Sequence, residues 1–195
     1  MILIGNYKVI ADVGASLVKL LREQMVPEPI GQPELIGLAS PADKGDLQLS
    51  LFLYYIKENG ETRNNQMINV GSSALQYPPM SVELNYLLTA YSSAELQNRA
   101  LDEHRILGKA MQVLYDHSIL RSPHLLGTLA ENNEEVRISA DKLSMDSLRN
   151  VWNFSDIPYK LSVGYTVGPV NIDSTRIKPT KRVLEREIRM AERGV

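Results

Sequence analysis

The sequence has no cysteine, which excludes disulfides and thiolate metal sites and suits a cytoplasmic protein. No apolar run approaches the roughly 20 residues needed to span a bilayer. Residues 1–5 are apolar, but no basic stretch precedes them, so no secretory signal is expected. An excess of one charge is also missing. Twenty-one basic and 23 acidic side chains leave a net charge of −2. That balance gives no whole-molecule attraction to nucleic acid or to a membrane. The phosphate-cradling patterns GxGxxG, GxxxxGKS and GxxxxGKT are absent, as is the GxSxG nucleophile elbow, so nothing in the motifs supports an enzyme. There is no internal repeat and no low-complexity segment.

The 195 residues, 44% of them hydrophobic and 23% charged, suffice for one globular domain with its own core. Val13, Leu17, Leu20 and Leu21 recur at helical spacing between Val9 and Met25, and Pro27 and Pro29 stop the pattern, which predicts an amphipathic helix. Residues 34–40 form a short candidate strand and 41–45 a turn. The strongest strand pattern is 47–56, with Leu47, Leu49, Leu51, Leu53 and Tyr55 on one face. Its far end adds Phe52, Tyr54 and Ile56 on the other face, so that end is apolar on both sides, as in the middle of a sheet or at a subunit contact. Residues 57–76 are polar and read as a long loop, a type that is often functional. A strand at 82–91 follows and is expected to pair antiparallel with 47–56.

Residues 94–117 predict a long helix with Leu96, Ala100, Leu107, Met111 and Leu114 as its apolar stripe. Gly108 within it suggests a close approach to a sheet. A weak strand at 134–140 and a short helix at 144–153, with Leu148, Val151 and Trp152 inward, come next. Residues 159–167 alternate cleanly, and the phase slips by one at Gly168-Pro169. That slip predicts a bulge, and the proline suggests a sheet edge. The series is not a βαβ one. It predicts an α+β fold, mostly antiparallel sheet flanked by helices, with the helices able to cover one face.

The titratable groups do not form a catalytic constellation. His104 falls in the apolar stripe, where its ordinary role is a histidine satisfied by a core or interface hydrogen bond, with a general base as the alternative. His117 and His124 lack the i, i+4 spacing of helical zinc ligands, and His117 complements a helix C-terminus. Asp102, Glu103 and His104 are consecutive, so on a helix they point about 100° apart and do not converge. No cofactor or metal is expected.

The C-terminal segment differs in composition. From Arg176 onward there are seven basic residues against three acidic ones, so it carries +4 and the remainder −6. Leu184, Ile188 and Ala191 make a narrow apolar stripe. Three readings stay open for this arm: a solvated terminal helix, an arm docked on an acidic neighbour, or a nucleic-acid contact, which the lack of interleaved aromatics disfavours. The expected division is a domain at 1–174 and a basic arm at 175–195.

Several segments in order carry a resemblance. They are YKVIADVGASLVKLLREQM (7–25), SPAD (40–43), LSLFLYYIKEN (49–59), PPMSVELNYLLTAYS (78–92), EHRILGKAMQVLYDHSIL (103–120) and PYKLSVGYTVGPVNIDS (158–174). Together they resemble the cap, or tail-terminator, proteins of extracellular contractile injection systems, the antifeeding-prophage and virulence-cassette type particles. The resemblance implies a non-enzymatic α+β subunit similar to phage tail terminators. It implies a six-fold ring of self-associated copies that closes the inner tube and last sheath layer opposite the baseplate. Assembly would be cytoplasmic, with release by lysis. A tube–sheath connector or neck ring is the alternative within that class, and a small cytoplasmic enzyme using His104 the alternative outside it. Some relatives carry longer additions after this domain, and the resemblance sets no expectation about the functions of those additions.

On this reading the expected partners are other copies, the inner tube protein and the sheath protein, with no nucleic acid and no membrane. The doubly apolar end of the 47–56 strand would support an intersubunit contact. The loop 61–70 would order against the tube, offering Arg63, Asn64, Asn65 and Gln66 as adaptable hydrogen-bonding groups. The arm, with Lys178, Lys181, Arg182, Arg186 and Arg189, would reach a neighbouring cap or sheath subunit as a helix or an added strand.

Overall fold

A computed structural model describes residues 6–60, 66–70, 74–153 and 157–179. In chain order the elements are helix α1 (Val9–Met25), strands β1 (Ile36–Leu38), β2 (Leu49–Glu58), β3 (Ile68–Asn69), β4 (Ala74–Gln76) and β5 (Met80–Ala90), helix α2 (Leu96–Asp116), strand β6 (Ile119–Leu120), helix α3 (Gly127–Glu131), strand β7 (Val136–Asp141), helix α4 (Met145–Asn153), and strands β8 (Ser162–Ile172) and β9 (Ile177–Pro179). A six-stranded sheet runs β1-β2-β5-β8-β7-β6, and a second sheet runs β3-β4-β9. The pairing is antiparallel except between β1 and β2, which run parallel. This is the expected α+β arrangement.

One core fills the space between one face of the large sheet and α1, α2 and α3. Helix α1 has the predicted bounds because Val9, Val13, Leu17, Leu20 and Leu21 all lie on one buried side. It approaches the sheet closely at Gly14, where a Cβ would stand 2.8 Å from Leu38 Cδ1. A second, smaller core lies on the opposite face, where Leu148 and Trp152 of α4 pack on Leu87 with Phe52 and Tyr54 around them. Helices therefore flank both faces of the sheet rather than one. Away from α4 that face is polar: Thr89 and Ser162 share a 2.9 Å hydrogen bond, and Thr166 Oγ1 donates to Asn85 Oδ1 at 3.0 Å.

Four further expectations need correction. Strand β2 bulges between Leu53 and Tyr55. The helix-facing phase passes there from Leu53 to Ile56, opposite Leu84, while Tyr55 moves to the other face opposite Asn85. The slip at Gly168-Pro169 is a bulge against Glu83, since Val170 pairs with Val82 and Val167 with Leu84. Yet β8 is interior, between β5 and β7, not an edge. The bulge takes Pro169 out of the regular ladder, so its missing N–H costs no sheet bond. Gly168 allows this with φ +144°, in a pocket where a Cβ would lie 3.0 Å from Val82 O.

The third correction concerns α2. Its buried residues are Ile106, Leu107, Ala110, Val113 and Leu114. Leu96 (81% exposed) and Met111 (40%) face outward, His104 is exposed, and nothing lies within 4 Å of where a Gly108 Cβ would be. Gly108 therefore faces solvent rather than a sheet. The helix is apolar over more than half its circumference, so periodicity alone allowed two phases, and the core selected the one centred on Ala110. Fourth, the segment 57–76 is not all loop, because β3 and β4 lie within it.

Candidate assembly surfaces

The small sheet brings together parts of the chain that are distant in sequence. β4 pairs with β3 on one side (Ile68 with Gln76) and with β9 on the other (Leu75 with Lys178). β4 runs into β5 through Pro78-Pro79, and β8 runs towards β9, so the small sheet continues the β5–β8 pair beyond the end of the large one. The turn between the two sheets is braced. Tyr77 N donates to Arg176 O at 3.0 Å, the Arg176 guanidinium stacks 4.0 Å from the centre of the Tyr77 ring, and Gln76 Nε2 donates to Ser174 O. A cleft of about 250 Å³ lies at this turn, lined by Glu58, Asn59, Tyr77, Met80 and Arg176 among others.

Among the residues proposed from the sequence, Gln66 is exposed just before β3, and Lys178 is exposed within β9. Arg63, Asn64 and Asn65, and Lys181, Arg182, Arg186 and Arg189, lie outside the described residues. The root of the 61–70 loop and the root of the basic arm thus share one three-stranded sheet with β4 between them. Nothing in the sequence signals that meeting, because two- and three-residue strands have no readable period.

A second surface is the edge of β2. Its pairing with β1 ends at Leu51, where Ala39 N donates to Leu51 O at 3.2 Å. From Leu53 to Glu58, among the described residues, β2 pairs with β5 alone. Tyr55 (55%) and Ile56 (43%) are exposed there.

The candidate catalytic residues do not converge. Ser92 Oγ donates to Asp102, while Lys160 Nζ and Ser92 N donate to Glu103. These carboxylates tie the start of α2 to the end of β5, and His104 points away from them into solvent. His117 closes the C-terminus of α2, its N–H donating to Val113 O at 3.0 Å with Nδ1 2.9 Å from the same carbonyl. His124 Nδ1 lies 2.9 Å from Glu23 Oε2. Among the described residues no group of three ligand side chains could hold a metal ion, and no helix is long and apolar enough to cross a membrane. The resolved pKa shifts are those of burial: desolvation raises Tyr86 and Tyr165, and it lifts Tyr54, with help from Asp141, to about 12.

No curated protein matches the chain. Two solved structures share its fold. One is the sheath/tube terminator of an extracellular contractile injection system, PVC, in its extended state: TM-score 0.66, 18% identity, 95% of this chain and 64% of that one covered. The other is the tube-terminating cap of the anti-feeding prophage: TM-score 0.64, 20% identity, 92% and 61% covered. The chain thus spans less than two thirds of either protein. The family model described as the Pvc16 N-terminal domain matches residues 12–186, and the chain belongs to that family.

Proposed function

We propose that the chain is a structural terminator subunit that closes the distal end of the inner tube and sheath of a contractile, phage-tail-like injection particle. The observation that carries this reading is the fold shared, over more than nine tenths of the chain, with two proteins that terminate such particles. Several features agree with it. The carboxylates of α2 serve as structural ties, and the exposed features include a strand edge and a projecting sheet, which suit protein contacts.

In this reading six copies join head to tail into a ring, a heterologous arrangement that closes under rotation. The open edge of β2, with Tyr55 and Ile56, contributes to the contact between copies. The projecting β3-β4-β9 sheet carries the 61–70 loop and the basic arm toward the terminal tube and sheath layers. The subunit is non-enzymatic and uses no cofactor. It assembles in the cytoplasm and leaves with the particle.

The test is to image particles made without this protein. Loss of a terminator gives tubes of uncontrolled length or sheath that fails to stay extended. Assembly blocked at its start would instead identify a baseplate part and reject the reading, as would gold-labelled protein that never appears at the tip distal to the baseplate.

A further inference from the structure

The large sheet has a stretch of free edge on each side. On one side β1 covers β2 only as far as Leu51. The outward carbonyl of Ile36 in β1 is itself engaged, accepting two hydrogen bonds from the Arg22 guanidinium at 3.0 and 2.7 Å. That side is open only along β2, from Leu53 to Glu58. On the other side β6 covers β7 at Val136 and Arg137, and Ile138 N donates to Ser118 O at 2.7 Å. From Ser139 to Asp141, among the described residues, β7 pairs with β8 alone.

The two free stretches match each other. Alternate residues of a strand point their backbone N–H and C=O to the same side. Ala39 N donates to Leu51 O, so the groups of Leu53 also point outward. Ile138 bonds outward to Ser118, so the groups of Ala140 point outward too. The registers place Leu53, Tyr86, Tyr165 and Ala140 in one row across the sheet. Each pairing from β2 through β5 and β8 to β7 is antiparallel, so β7 runs opposite to β2. A second copy placed beside the first in the same orientation therefore presents an antiparallel strand, with free donors and acceptors at equal height.

The side chains agree with this match. Leu53, Tyr86 and Tyr165 lie on the face that holds the main core, and Ala140, two residues from the core side chain Ile138, ends that row small and exposed. The next row is polar. Asn85 Nδ2 donates to Tyr55 O at 3.4 Å, Thr166 Oγ1 donates to Asn85 Oδ1, and Ser139 Oγ donates to Thr166 O at 3.4 Å. It ends at exposed Tyr55 on one edge and exposed Ser139 on the other.

We propose that the β7 edge of one copy pairs antiparallel with the β2 edge of the next, so that the sheet runs on from copy to copy. Ala140 exchanges backbone hydrogen bonds with Leu53, and Ser139 faces Tyr55. This contact rests on the ring reading and names the surface that receives the β2 edge. A closed ring has no rise from copy to copy, which is the relation that edges matching at equal height provide. A two-fold pairing of β2 with itself would instead leave both β7 edges unpaired, and open edges invite further association.

The absence of cysteine opens the contact to disulfide trapping. In the proposed register Tyr55 and Ser139 form a non-hydrogen-bonded pair, with Cα atoms about 4.5 Å apart, a separation that a disulfide spans. Particles, and the purified chain at high concentration, are oxidised and run on non-reducing gels. Tyr55→Cys with Ser139→Cys should give a ladder of cross-linked copies ending at the hexamer, whereas either substitution alone should give only monomer. Adding Ala140→Pro, which removes an outward N–H at a strand edge, should abolish the ladder and leave the circular dichroism spectrum unchanged. Dimers from Tyr55→Cys alone would overturn the proposal by making the β2 edge two-fold. A ladder that survives Ala140→Pro, or no ladder in either sample, would overturn it too. Labelled protein at the distal tip without a ladder rejects this contact and keeps the terminator reading. A ladder in the purified chain, with no protein on particles, does the reverse.

Discussion

The Asp12 carboxylate receives two hydrogen bonds from Thr128, from its backbone N at 2.9 Å and from its Oγ1 at 2.7 Å, joining α1 to the first turn of α3 across 116 positions of sequence. The neighbouring Ser16 Oγ donates to Asp12 O and accepts from Leu126 N. Together they satisfy backbone donors at the start of α3 that have no partner within the helix. Asp12→Ala should therefore destabilise the fold by about 1–2 kcal/mol, the cost of losing a helix cap and leaving its donors unpaired. Urea denaturation checks this. An unchanged midpoint would mean that water replaces the carboxylate without loss.

Two glycines should respond oppositely to the same substitution. Gly108 lies mid-helix in open space, so Gly108→Ala should stabilise by about 0.8–1 kcal/mol, the difference in helix propensity. Gly168 has φ +144° and its Cβ would press on Val82 O at 3.0 Å, so Gly168→Ala should destabilise by at least as much. Thermal unfolding of the two variants beside the wild type separates them by sign.

These positions also mark how far the sequence could be read. Helix α1 was legible to the residue because its apolar side chains occupy a single stripe. The bulge at Gly168-Pro169 was legible from the slip in alternation, but the interior position of β8 was not, since the sequence does not say which strands flank it. The break at Leu53/Tyr55 was hidden because residues on both sides of it are apolar, so a phase change leaves no mark. In α2 the surplus of apolar residues concealed which stripe the core takes and which stays outside. The meeting of Gln66 and Lys178 on either side of β4 depends on pairing between segments about 100 residues apart, and no local pattern encodes it.

Glu134 gives a prediction with a definite sign. Burial holds its carboxyl above the usual range; a hydrogen bond from Asn132 partly offsets this, and the nearby charge of Asp173 adds to it. One of its oxygens, Oε1, is buried without a hydrogen-bond partner. A carboxyl raised in the folded state contributes stability that is fully present below its unfolded pKa and is lost as pH rises through the folded value. At neutral pH the ionised side chain is thus a cost. Glu134→Gln should raise the melting temperature at pH 7, and the gain should shrink as the pH falls into the carboxylate range. Melting curves at several pH values test this, and a gain that grows with acid would contradict the assignment.

The basic segment and β9 should behave differently on truncation. Ending the chain at Pro179 retains the β4–β9 pairing, the Tyr77–Arg176 hydrogen bond and the stacking of the Arg176 guanidinium on Tyr77. That chain should unfold at the wild-type temperature and, if the arm grips the terminal sheath layer, lose its attachment to particles. Ending the chain at Asp173 removes β9 and the carbonyl that accepts from Tyr77 N. Hydrogen exchange at Tyr77 should then accelerate strongly, while the amides of β5 paired to β8, such as Leu87 and Leu88, stay protected. Equal protection of Tyr77 in both truncations would mean that β9 contributes nothing to the turn between the sheets. The projecting sheet would then be poorly suited to carry force from the arm into the core.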